Sequence, residues 1–238
     1  MKEQELLIEG ASRMGISLNE KQVEQFSVFY RLLIEWNEKM NLTAITEEKD
    51  VIIKHFLDSL SGVSFLAGLP DLSIADIGTG AGFPGIPLAI AFPEVPFVLM
   101  DSLQKRIGFL QESADQMGLK NVQLIHGRAE ELAHKEEYRE QFRAVVARAV
   151  ANLPVLLEYC MGYVQPEGLF LAYKGPSLEE ELEHSSHALT VLKGEVESAS
   201  SVQIPFSDYA HTLAVIRKTG SMGKAYPRSQ GKIKKAPL

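Results

Sequence analysis

The stretch Ile74-Ala75-Asp76-Ile77-Gly78-Thr79-Gly80-Ala81-Gly82-Phe83-Pro84 decides the reading of this chain. An apolar run of strand length ends at Ile77, and three alternate glycines follow. Glycine lets a turn take positive φ and lets a ligand approach the backbone closely. Pro84 suits the first turn of a helix, where its missing N–H costs nothing. Strand, glycine turn and helix in this order put the loop at the carboxyl end of a first strand, where open α/β sheets bind ligands.

Outward from this loop the chain keeps the same rhythm. Short β-rich runs at 73–77, 96–101, 121–126, 143–148 and 168–174 alternate with helical patterns at 84–92, 103–117, 128–140 and 152–164. Connections this short give a parallel sheet with helices on both faces. A helix near 177–193 and strands near 195–204 and 210–218 follow. The short polar link holding Pro205, Ser207 and Asp208 is of hairpin length, so one terminal strand should run antiparallel.

The first 67 residues read as helices only. Ser17 and Glu20 make a capping-box pattern ahead of Val23, Phe26, Tyr30, Leu33 and Ile34, and a third helix is expected from Thr46. The expected organisation is a helical extension at 1–67, an α/β domain at 68–218 and a basic tail at 219–238.

Composition narrows the class. The 238 residues are 45% apolar and 23% charged, ordinary for a chain that buries a proper core. A single cysteine, Cys160, excludes an internal disulfide, and no Cys/His cluster has zinc-ligand spacing, so no metal is expected. MKEQELLIEG carries acids where a signal peptide is basic, and no apolar run approaches the roughly 18 residues of a membrane span. A soluble, cytoplasmic protein without a membrane partner is expected, and nothing demands an oligomer.

Charge is unevenly placed. The net charge is −7, yet residues 217–238 hold Arg217, Lys218, Lys224, Arg228, Lys232, Lys234 and Lys235 and no acid. Such a tail suits a polyanion, or is simply solvated. Tyr226-Pro227-Arg228 either holds one point of it against the body or stacks on a base. On the polyanion reading, ligand binding at the glycine loop does not need the tail.

The glycine loop leaves three readings open. Gly80-Ala81-Gly82-Phe83-Pro84-Gly85 matches G-x-G-x-x-G, with Asp101 placed 21 residues on as a ribose-binding acid, which suits a dinucleotide. The frame from Gly78 is G-x-G-x-G with Asp76 two residues earlier, which suits S-adenosylmethionine, whose positive ammonium and sulfonium an acid would favour. The third reading is a structural turn. Asp101 ends the second strand and can accept both ribose hydroxyls, or cap the helix that follows, although Ser102 is available to cap. After the third strand, Arg128-Ala129-Glu130 either neighbours an adenine or simply opens a helix. Arg148 ends the fourth strand among apolar neighbours, so an anionic partner is expected: a cofactor carboxylate, an RNA phosphate or an internal acid. His55 and Asp58, one helical turn apart, line the pocket mouth or form a local pair.

With these residues in view, the chain resembles the glucose-inhibited division protein B family, the small-subunit ribosomal RNA guanine-N7 methyltransferases. The resemblance spans nearly the whole chain. It rests on Trp36-Asn37-Glu38-Lys39-Met40-Asn41-Leu42-Thr43, His55-Phe56-Leu57-Asp58-Ser59 and Asp76 through Gly85. Asp101-Ser102 with Lys105-Arg106, Arg128-Ala129-Glu130, Ala147-Arg148-Ala149 and Tyr226-Pro227-Arg228 add to it. It implies a Rossmann-like class I methyltransferase with a mostly parallel seven-stranded sheet behind a helical extension. It implies transfer from S-adenosylmethionine to N7 of a guanine in the decoding-region loop of 16S rRNA, on naked RNA or the small subunit. Carried over by position, Gly78, Phe83, Ala129, Glu130 and Arg148 contact the cofactor, beside Gly80 and Asp101 from the residues themselves. Arg128, Arg148 and Lys174, with Arg228 of the tail, meet RNA. No catalytic base is expected. A small-molecule methyltransferase and a dinucleotide-binding oxidoreductase are the competing readings.

Overall fold

The computed structural model describes residues 2–208 and 210–238; Met1 of the expected extension lies outside them. Two amphipathic helices lead, α1 (Glu3–Arg13) and α2 (Glu20–Met40). The capping box of α2 is built by Asn19 and Gln22, not by Ser17 and Glu20. Gln22 N–H donates to Asn19 Oδ1 at 3.0 Å, and Asn19 N–H donates to Gln22 Oε1 at 2.9 Å. Asparagine is as good an acceptor at this position as serine, so the pattern slides two residues along the same polar link. The third helical region starts at Glu48 and changes pitch: α3 (Glu48–Val51), a π-helical turn (Ile52–Leu57), α4 (Asp58–Leu60) and α5 (Val63–Leu66). π turns interrupt α-helices most often at functional sites, and this one carries His55.

The alternating part follows: β1 (Ile74–Ile77), α6 (Gly85–Ala91), β2 (Phe97–Asp101), α7 (Gln104–Met117), β3 (Val122–His126), α8 (Ala129–Leu132), β4 (Phe142–Arg148), α9 (Leu153–Cys160) and β5 (Val164–Lys174). It closes with α10 (Leu178–Glu183), α11 (Ser186–Leu192), β6 (Gly194–Gln203), β7 (Ala210–Lys218) and α12 (Gln230–Lys235). Three helical stretches are shorter than the sequence pattern: α8 is a single turn, the helix expected at 152–164 stops at Cys160 with β5 starting at Val164, and the helix expected at 177–193 breaks into α10 and α11.

The strands form one seven-stranded sheet in the order β3-β2-β1-β4-β5-β7-β6. The pairs among β1 to β5 are parallel, and β7 is antiparallel to both β5 and β6. The hairpin therefore folds back, so the antiparallel strand lies inside the edge and β6 forms it. Chain order reverses between β1 and β4, and crevices form at the carboxyl ends of strands beside such a switch point.

Alternate residues of each strand feed two cores. Ala144 and Val146 face one with Phe26, Phe29, Phe56 and Phe109; Val145 and Ala147 face the other with Leu156, Tyr163 and Phe170. The helical extension has no separate core. Phe29 stacks between Phe56 and Phe109 at 5.8 and 6.2 Å and packs on Phe83 of the glycine loop at 5.4 Å. Nor is the tail a free appendage: Met222 and Ile233 are buried in the second core. No helix among the described residues is long and apolar enough to cross a membrane.

Candidate active site

The carboxyl ends of β1 to β4 surround a cavity of about 450 Å³. Its floor is the glycine loop. Gly78 N–H and Thr79 N–H both donate to Met100 O, at 2.9 and 3.0 Å, which fastens the loop to β2. Gly80 has φ of +62°, and a Cβ there would meet no side chain, its nearest neighbour being Gly78 O at 3.9 Å. Any side chain at this position would stand over the cavity it lines.

Asp76 does not line the cavity. It is fully buried beneath the loop, and its Oδ2 accepts Thr79 Oγ1–H at 2.6 Å and Gly85 N–H at 2.9 Å. One carboxylate oxygen thus ties both ends of the loop together. Burial pushes its pKa up to about 7 against those two hydrogen bonds. An acid held this way braces the backbone of the loop from beneath.

Asp101 combines the two roles the sequence set against each other. Its Oδ1 accepts Leu103 N–H at 2.9 Å, where the helix begins, while Ser102 makes no cap. Its Oδ2 accepts Gly80 N–H at 3.0 Å and Arg106 Nη1–H at 3.2 Å. A carboxylate offers about four lone-pair sites, so three donors leave acceptor capacity toward the cavity. Glu130 is also buried on the cavity wall, with Arg128 Nη1 at 4.0 Å as its ion-pair partner. Ala129 lies beside it and accepts the Tyr163 hydroxyl at 2.6 Å through its carbonyl.

Arg148 has the internal acid among its three expected partners. Its Nη1 donates to Asp58 Oδ2 at 2.5 Å, and the pair is buried, with side-chain exposures of 12% and 0%. Asp58 Oδ1 lies 2.6 Å from His211 Nδ1 on β7. The guanidinium sits over the Phe83 ring at 4.9 Å, and the His55 ring stacks on the same phenyl at 4.6 Å. His55 and Asp58 are therefore no local pair. Both reach Arg148, His55 Nδ1 at 3.3 Å from its Nη2, and His55 lines the cavity while Asp58 lies behind it.

Burial and the Arg148 charge push the His55 pKa down to about 4, against the pull of Asp58. The unfolded ring binds a proton near 6.5, so stability from the neutral ring is complete above that value and is lost as pH falls toward 4. Asp76 runs the other way, since its native carboxyl holds a proton between about 4 and 7 that the unfolded one releases. A His55→Gln variant should accordingly lose less stability than the parent between pH 6.5 and 4.5 in urea titrations. Ring NMR showing an imidazolium at pH 6 in the native protein would contradict this assignment.

The four residues expected at RNA fare differently. Arg128 is half exposed at the cavity rim, where it donates to Gln230 Oε1 at 2.8 Å. Arg148 is engaged as above. Lys174 is nearly buried, pairing with Glu181 at 2.6 Å and donating to Ala151 O at 2.9 Å. Arg228 is bound to Glu158. Of the four, Arg128 alone presents its charge to solvent in this conformation. The cavity also takes in Thr43, Arg106, Tyr159, Gln230 and Lys234, which the sequence reading did not place there. Arg106 and Thr43 stood inside quoted motifs; Tyr159 is one aromatic in an apolar helix and carried no signal.

The comparisons agree with this geometry. The GidB family, described as rRNA small subunit methyltransferase G, matches residues 22–208. The Ribosomal RNA small subunit methyltransferase G of Thermoanaerobacter sp. (strain X514) is 50% identical over 234 residues, 98% of each chain. That of Alkaliphilus metalliredigens (strain QYMF) is 46% identical over 238 residues, the whole of each chain. Among solved structures, a SAM dependent methyltransferase from Aquifex aeolicus superposes with a TM-score of 0.52 at 17% identity, covering 69% of this chain and 91% of that one. That likeness supports the fold, and the class I methyltransferase architecture expected from the sequence is the one observed. The dinucleotide-binding oxidoreductase is set aside, and the chain belongs to the rRNA small subunit methyltransferase G family.

Proposed function

We infer that the chain transfers a methyl group from S-adenosylmethionine to N7 of a guanine in the decoding-region loop of 16S rRNA. The observation that supports this reading is the convergence of Gly80, Asp101, Glu130 and Arg148 on one cavity at the switch point of the sheet. The fit rests on the donor set: a glycine floor that no Cβ obstructs and a buried carboxylate with acceptor capacity to spare. When bound, S-adenosylmethionine supplies a methyl group already activated by its sulfonium.

The chain's residues then have to position, not to move protons. Guanine N7 carries a free lone pair at neutral pH, so no side chain must remove a proton before attack, and no base is assigned. Asp101 would hold the ribose hydroxyls, and Ala129 and Glu130 the adenine. Gly78 and Gly80 would leave room for the amino-acid end, with Arg148 fixed on Phe83 nearby. Holding an extruded guanine in line with the methyl is worth several kcal/mol of barrier. Arg128 is the side chain best presented to an RNA phosphate, and the reading includes a monomer acting in the cytoplasm without a membrane partner.

Two measurements test this. Methyl transfer to naked 16S rRNA and to intact small subunits, followed by mapping of the base, should give N7-methylguanine in at least one. No incorporation into either would overturn the reading. Asp101→Ala should weaken S-adenosylmethionine by about 1.5–3 kcal/mol, the range for hydrogen bonds to a charged group. Because Asp101 also accepts Gly80 and Leu103, its melting temperature should fall as well. Normal calorimetric affinity with a lowered melting temperature would leave Asp101 a purely structural role.

A further inference from the structure

The C-terminal segment is held to the body by four clamps. Arg139 donates to the carbonyls of Met222, Gly223 and Tyr226 at 3.0–3.2 Å. Glu140 Oε1 accepts Met222 N–H at 2.7 Å. His134 Nε2 lies 2.8 Å from Pro227 O. Glu158, fully buried, receives Arg228 through its backbone N–H and Nε, both at 2.8 Å, and through Nη2 at 2.7 Å.

This docking delivers α12 to the cofactor cavity. Gln230 and Lys234 line it beside Arg128 and Glu130, which follow β3, and Tyr159 of α9. A second cavity of about 450 Å³, lined by Glu131, His134 and Pro227 among others, shares Arg128, Glu130 and Gln230 with the first. The tail is thus a partition between two openings, and without residues 230–238 the cofactor cavity would lose a wall. The wall carries unused hydrogen-bonding capacity. Gln230 Oε1 is taken by Arg128, which turns the amide nitrogen, a double donor, elsewhere. The Gln230 side chain lies within hydrogen-bonding reach of the buried Tyr159 hydroxyl, whose own O–H finds no acceptor. Buried polar atoms without partners are uncommon and point to a group absent from the structure.

We propose that the docked C-terminal segment is the adenine-end wall of the cofactor site, where the Gln230 amide and the Tyr159 hydroxyl bind the base. This rests on the methyltransferase reading and reverses the expectation that cofactor binding ignores the tail. Gln230 is a specificity-determining residue on this view: its amide N–H groups match the N1 acceptor of adenine, which is an N–H donor in inosine, and Arg128 orients the amide.

The test uses S-adenosylhomocysteine and its inosine counterpart as calorimetric probes. Four proteins are compared: the full chain, Gln230→Ala, Tyr159→Phe, and a chain ended after Ser229 that keeps the four clamps. Gln230→Ala should lose roughly five- to tenfold in affinity for the adenosine probe, and truncation at least about tenfold. The loss should shrink with the inosine probe, because a protein group that reads the base and the base edge it reads are coupled. Wild-type affinity in both Gln230→Ala and the truncated chain would overturn the proposal. So would equal losses for the two probes, which mark a merely structural role. Gln230→Ala stands in should the truncated chain not fold. Failure of the full chain itself to bind the adenosine probe would instead reject the underlying methyltransferase reading.

Discussion

Asp58→Ala should destabilise the fold by about 3–5 kcal/mol, the cost of leaving the other member of a buried ion pair without its partner. The partner is Arg148, held at 2.5 Å and 12% exposed, with no second carboxylate within ion-pair distance among the described residues. The same change removes the oxygen facing His211. Urea unfolding at pH 7.5 measures the effect. Positioning and stability separate in a second protein, Asp58→Ala with Arg148→Met, because apolar replacement of a whole buried pair is often neutral. That double variant should regain most of the stability while methyl transfer stays low, since Phe83 and His55 would no longer orient a guanidinium at the cavity. An unchanged urea midpoint for Asp58→Ala would mean the pair is open in solution. Recovery of transfer in the double variant would mean Arg148 has no part in the site.

The parts of this site that were legible in sequence are those made by contiguous residues. The glycine loop follows a strand and precedes a helix, and that local order fixes its place on the sheet without any distant contact. Asp101 and Arg128-Ala129-Glu130 are likewise residues at strand ends, so the alternation that gives the strands also gives the site. What the sequence could not resolve were choices between partners. Asp76 is the last residue but one of β1 and Asp101 the last of β2, yet one turns under the loop and the other faces the cavity, a difference made by Thr79 and Gly85 closing on Asp76. Arg148 announced that it needed an anion. That the anion is Asp58, ninety positions earlier, depends on how the π-helical turn packs across the end of β4.

Lys174 and the tail pose the same choice of partner. A count of bases assumes that basic side chains face solvent, but Lys174 finds Glu181 on the next helix and Arg228 finds Glu158. The sign of this was present in Leu153-Pro154-Val155-Leu156-Leu157-Glu158-Tyr159-Cys160. A lone acid inside an apolar helix is costly to bury without a paired cation, and all eight residues are buried. The basic segment with the least capacity to fold alone supplies that cation, and with it two residues that line the cavity, Gln230 and Lys234.

Arg228→Ala should therefore act on the body before it acts on RNA. It deletes two of the three hydrogen bonds to a carboxylate that is wholly buried, and hydrogen bonds to charged groups contribute about 1.5–3 kcal/mol. Two responses compete. If the tail stays docked, Glu158 is left buried with only the Arg228 backbone N–H as donor and no paired cation. If the tail lifts away, Glu158 regains water, and the loss is limited to the docking of Met222 and Ile233. The smaller cost wins, so the destabilisation should reach about 1.5–3 kcal/mol and the 219–238 segment should become a site of early proteolysis. Glu158→Ala should cost less than Arg228→Ala, because an arginine that is 23% exposed can turn to solvent whereas a carboxylate at 0% cannot. The double variant should be no worse than Arg228→Ala alone, a coupling that a double-mutant cycle reads directly. A purely RNA-facing arginine gives the opposite pattern: full stability, slow proteolysis, strictly additive effects, and a loss confined to salt-dependent RNA affinity.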